Sequence, residues 1–114
     1  MALPKEHRVT KQKELEAVFA ARERVQASGL IVKKTKNTSS ISRFAVVISK
    51  KVSKKAVVRN RIRRLLHEVI RMHLGTMEGG WDVAIIVFPG FAPKSRDDAT
   101  NALLPLLKRA CLIP

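Results

Sequence analysis

The sequence predicts a small α+β domain in two layers, with elements in the order helix, strands, helix, strand, helix. Three observations predict it. Apolar residues recur at i, i+3 and i+4 in two segments, 15–19 and 58–73. Two runs, Phe44 to Ile48 and Trp81 to Phe88, are rich in β-branched residues and read as buried strands. Turn residues fence these segments, and helices segregated from a sheet must pack on it to bury their apolar stripes.

Taken in order, residues 1–9 read as a flexible basic arm, and residues 10–114 as one domain. Thr10 is placed to cap a helix over about 11–21, with Leu15, Val18 and Phe19 on one face. Gly29 ends that pattern, and Leu30-Ile31-Val32 reads as a short strand. Lys36-Asn37-Thr38-Ser39-Ser40 is a loop by composition. The strand at 44–48 leads into a long helix from about Ala56 to Leu74, stopped by Gly75. Gly79-Gly80 and Pro89-Gly90 bound the next strand. Ser95 and Asp98 form a loose capping box for a last helix. Pro105 predicts either a kink in that helix or a start near residue 105.

With 114 residues there is room for one core. Aromatics make up 4% of the chain, so the core rests on Val, Ile, Leu and Ala. Cys111 is the single cysteine, which excludes an internal disulfide, and no Cys/His cluster predicts a metal site. The N-terminal residues lack the apolar segment of a signal peptide, and the longest apolar run, 83–88, is too short to span a bilayer. A cytoplasmic protein is expected.

The formal net charge is +14, from 23 Lys plus Arg against 9 Asp plus Glu. Such a field draws polyanions. Most of it belongs to residues 50–71, KKVSKKAVVRNRIRRLLHEVIR, which hold nine Lys or Arg and one acid, Glu68, for a net +8. On a helical wheel Val58, Leu65, Leu66, Val69 and His73 cluster around Ile62 as a core-facing stripe. Asn60, Arg61, Arg63, Arg64, His67 and Arg71 spread over the opposite side, with Arg59 near the boundary. Lys50, Lys51, Lys54 and Lys55 extend the patch into the preceding loop. Guanidinium groups grip phosphates bidentately and stack on bases, and Asn60 can bond a base edge or a ribose hydroxyl. Salt-bridged helix faces alternate in sign; this one does not.

Ser49-Lys50-Lys51, followed by Ala56-Val57-Val58-Arg59-Asn60-Arg61-Ile62-Arg63-Arg64, closely resembles the protein subunit of bacterial ribonuclease P. The likeness continues in KELEAVF at 13–19, WDVAIIVF at 81–88 and LLKRA at 106–110. The resemblance implies a small α/β sandwich of the ribosomal protein S5 domain 2-like type: a mixed sheet with a left-handed βαβ crossover, which runs against the usual right-handed rule. It implies an accessory subunit of an endoribonuclease whose catalysis is carried by RNA, with no catalytic residue in the protein. The protein would bind no cofactor of its own, Mg²⁺ being required by the RNA. Its partners would be the catalytic RNA and the 5′ leader of precursor tRNA, with no membrane and no DNA. Carried over, Lys50, Lys51, Lys54, Lys55, Arg59, Asn60, Arg61, Arg63, Arg64 and His67 would contact the RNA subunit. Leu15, Phe19, Leu30, Val32 and Lys33 would line a cleft for the leader. This sequence departs from the family in lacking aromatics at Leu15 and around Leu30 and Lys33, and in placing His67 where arginine is common.

Four other classes fit less well. A ribosomal or other structural RNA-binding protein of similar fold would share the charge without serving tRNA maturation. A self-sufficient nuclease is suggested only by His7, His67, His73 and Glu68, and neighbouring His67 and Glu68 diverge by about 100° on a helix. A helix-turn-helix lacks its second helix here. An amphipathic membrane helix would spend an apolar face that the small core needs.

Overall fold

The computed structural model describes residues 3–114. Its elements are α1 (Gln12–Phe19), β1 (Arg24–Ala27), β2 (Leu30–Lys36), β3 (Arg43–Ile48), α2 (Ala56–Met72), β4 (Trp81–Val87) and α3 (Arg96–Arg109), with short 3-10 turns at Lys5–His7 and Leu74–Thr76. The sheet runs β1-β2-β4-β3. Only the β3–β4 pair is parallel, so α2 is the crossover that joins them; the other two pairs are antiparallel. This is the mixed-sheet α+β architecture expected.

The core lies between the sheet and a layer of α2 and α3. Leu30, Val32, Phe44, Val83, Ile85 and Val87 face Ile62, Leu66, Val69, Ile70, Leu103, Leu106 and Leu107 there. The apolar stripe of α2 holds its expected course except at its ends: Val58 is 37% exposed, and His73 is the C-cap rather than a core residue. The opposite face of the sheet carries α1, which packs on β2 and β4. Val18, Ile31 and Ala84 are buried on that side, outside the main cluster.

Three local features differ from expectation, and the structure decides a fourth. The segment read as a loose arm is packed from Leu3 onward: Leu3 is 1% exposed, His7 Nδ1 lies 2.9 Å from the Ser42 carbonyl, and Arg8 bridges Phe44. Met1 and Ala2 of that arm lie outside the described residues. Thr10 does not cap α1, whose N-cap is Lys11 with no side-chain bond. The helix ends early because β1, absent from the expected elements, turns back onto β2 through Ser28-Gly29. Both have positive φ, 55° and 81°, as the two-residue hairpin turns that match strand twist require. Finally, α3 does not start at Pro105 but runs through it; Pro105 is exposed, so water can serve the Asn101 carbonyl that loses its donor. Ser95 Oγ accepts the Asp98 N–H and caps α3 as expected.

Candidate nucleic-acid interface

Two serine turns shape the approach to α2. Ser49 Oγ accepts the Lys51 N–H, and Ser53 Oγ accepts the Lys55 N–H at 3.2 Å. Lys50, Lys51, Lys54 and Lys55 are all exposed on this loop. The first turn of α2 holds no acid. Positive charge at a helix N-terminus opposes the macrodipole, so this arrangement costs stability and suits an anionic partner.

The structure divides the expected α2 set. Asn60, Arg63, Arg64 and His67 line one shallow groove with Val57, which is 76% exposed. Arg63 donates to Asn60 Oδ1 at 2.9 Å, which fixes the amide with its NH₂ group free to donate. Arg8, which by sequence belongs to the arm, joins this groove. Only its β-bridge to Phe44 brings it there, a pairing that no local signal announces. Arg59 instead donates to the Ser53 carbonyl at 2.8 Å, holding the lysine loop against α2. Arg61 turns away to the carbonyls of Pro93 and Lys94, at 3.0 and 2.6 Å, and ties α2 to the start of α3. Arg71 is paired with Glu68 at 2.6 Å, and Arg96 approaches the same carboxylate at 3.7 Å.

His67 is held neutral. Burial pushes its pKa down to about 4, and the charges of Arg63 and Arg8 add to the effect. An imidazole of ordinary pKa in the unfolded chain takes up its proton near 6.5, before the folded one does. Stability from His67 is therefore complete above pH 6.5 and is lost as pH falls towards 4. Chemical denaturation at pH 7 and pH 5 should show the His67→Gln variant losing less stability over that interval than the parent. An equal loss in both would remove His67 as the cause.

The second expected region, the cleft beside α1, is revised by strand alternation. Leu30 and Val32 point into the α2–α3 core, 0% and 1% exposed, and cannot line it. Their neighbours Ile31 and Lys33 face α1, and the register adds Ile86, Val47, Ala84 and Ala45 to the same face. Leu15 and Phe19 are half-buried there. Lys33 Nζ donates to the Phe19 carbonyl at 2.7 Å, capping the C-terminus of α1. Among the described residues no helix is long and apolar enough to cross a membrane, and no His/Cys/Asp/Glu group could hold a metal.

A mixed sheet that presents an arginine-lined groove without an acid on one helix, and a separate half-apolar face against α1, defines a protein of the nucleic-acid-binding class. The family model described as Ribonuclease P matches residues 3–111. A ribonuclease P protein component of Microcystis aeruginosa is 37% identical over 99% of this chain and 98% of its own length. One from Clostridium botulinum is 36% identical over 93% and 96%. The Thermotoga maritima protein superposes with TM-score 0.79 at 25% identity, over 90% of this chain and 96% of that one. A Staphylococcus aureus variant reaches 0.87 at 23%, a likeness of fold, over 96% and 92%. The chain belongs to the ribonuclease P protein family.

Proposed function

We propose that the chain is the RNA-binding subunit of a ribonuclease P holoenzyme and supports maturation of the 5′ end of tRNA. The acid-free groove on α2 carries the reading: Arg8, Asn60, Arg63, Arg64 and a neutral His67 converge where phosphates and base edges can be met together. The exposed lysines at 50, 51, 54 and 55 widen the field around it. In this role the protein neutralises phosphates of the catalytic RNA, favours its folded form and lowers its demand for Mg²⁺. Cleavage belongs to the RNA, in the cytoplasm.

The leader of precursor tRNA would lie across α1 and its face of the sheet, against Leu15, Phe19, Ile86 and Val47, with Lys33 beside them. Phe19 is the one aromatic on α1, so stacking contributes little and the contact is mainly aliphatic and electrostatic.

The test is reconstitution. The protein is added to a bacterial ribonuclease P RNA, and multiple-turnover cleavage of precursor tRNA is followed at low Mg²⁺. Turnover that needs both components is expected, with tighter holoenzyme binding of precursor than of mature tRNA. Cleavage by protein alone would overturn the assignment of chemistry to RNA. Equal affinity for the two tRNAs would remove the leader contact. RNA binding without rescue would favour a structural RNA-binding role.

A further inference from the structure

A second basic site lies away from α2. Arg22, Arg24, Lys34 and Arg109 line a cavity of about 430 Å³ with a single carboxylate, Glu23, and apolar walls from Val25, Val32 and Ala110. That volume falls within the range of small-ligand pockets. No residue is shared between this cavity and the α2 groove.

Ordinary structural needs do not account for the cluster. Among the described residues Arg22, Arg24 and Arg109 make no ion pair. Lys34 Nζ sits 4.1 Å from the centroid of the Trp81 ring, an interaction that keeps its charge. The end of α3 does not require these cations, because backbone donors already serve it. Cys111, at φ 60°, turns the chain so that its own N–H bonds the Lys108 carbonyl and the Leu112 N–H bonds the Leu107 carbonyl. Four cations gathered around an apolar wall repel one another until an anion enters.

We infer that this cavity binds one nucleoside phosphate, with the phosphate among Arg22, Arg24, Lys34 and Arg109 and the base or ribose against Val25, Val32 and Ala110. The unit is either a free nucleotide or one residue of a single-stranded RNA. Both offer a phosphate joined to a flat, weakly polar body, which the cavity's two kinds of lining match.

Equilibrium dialysis with adenosine 5′-monophosphate, and separately with a short single-stranded oligoadenylate, tests it on the full chain. Trp81, the single tryptophan, should report occupancy through a fluorescence change as Lys34 is drawn to phosphate. The double variant Arg22→Gln/Arg109→Gln should weaken binding at least tenfold, and Arg63→Gln/Arg64→Gln on α2 should change mononucleotide binding less than twofold. Thermal melts check that both doubles stay folded. Tighter oligoadenylate binding that is lost in the first double identifies an RNA strand as the source. Mononucleotide binding at least as tight identifies a free nucleotide. No binding of either probe, or binding that the first double leaves intact, overturns the proposal. So does equal sensitivity to both doubles.

Discussion

Replacing Lys54, Arg63 and Arg64 together by alanine should lower affinity for a ribonuclease P RNA about 100- to 500-fold at 0.1 M salt. The figure follows from counterion release. Each neutralised phosphate contributes about 0.7–0.9 to the slope of log affinity against log salt, and about the same in log affinity at 0.1 M. Taking three cations away from the RNA should therefore flatten the slope by about 2 to 2.7. Lys54 and Arg64 are exposed, and Arg63 reaches only Asn60, so packing is untouched. The first turn of α2 carries no acid, so removing cations nearby relieves repulsion, and the melting temperature should hold or rise. Fluorescence anisotropy across a salt series measures both affinity and slope. A loss below fivefold, or an unchanged slope, would mean that the RNA is held elsewhere.

Arg61→Ala serves as the contrast. Its guanidinium is spent on the Pro93 and Lys94 carbonyls, so its loss should loosen the α2–α3 connection more than it changes the salt slope. This separation of neighbouring arginines could not be read from the sequence. A wheel assigns directions around one helix, but it cannot tell which exposed direction meets another element. The same limit explains Arg8, which reaches the groove only through a bridge to Phe44, 36 positions along the chain.

Legible features were those with a strong local cause. The apolar stripe of α2, the β-branched runs of β3 and β4 and the Ser95 cap each rest on residues close in sequence. The strand β1 was not legible, since Arg24-Val25-Gln26-Ala27 has one strong strand former and is held by pairing with β2. In β2 the run Leu30-Ile31-Val32 is apolar on both faces, so its sequence does not say which side chains turn towards α1. Resemblance pointed to that strand, and the register shows which of its side chains face α1. Pro105 was undecided because its cost depends on whether the freed carbonyl meets water.

Asp82→Ala should destabilise the fold strongly. Asp82 is 4% exposed, accepts two bonds from Arg43 at 2.8 Å each, and a third from Asn37 at 2.9 Å. Arg43 also reaches Glu14 of α1 at 2.9 Å, so this cluster pins α1 to the β3–β4 edge of its face. The hydrogen bonds from Arg43 to Asp82 hold its pKa above the usual value; without them the guanidinium still keeps its proton, because arginine is protonated at any ordinary pH. Removing the carboxylate takes both of these bonds from Arg43 and leaves it paired with Glu14, at a cost of about 3 kcal/mol. Arg43 keeps 23% side-chain exposure, which argues for the low end of the range for buried pairs. A fall of roughly 10–20 °C in melting temperature should follow. The triple variant Glu14→Gln/Arg43→Met/Asp82→Leu should melt above the single, because it leaves no unpaired charge behind. Glu14→Gln, at a side chain 28% exposed, should cost less than about 1 kcal/mol. If Asp82→Ala melts within 3 °C of the parent, Arg43 has found water, and α1 is held by Val18 and Ile31 rather than by the ion cluster. In that case the face beside α1 keeps its shape without it.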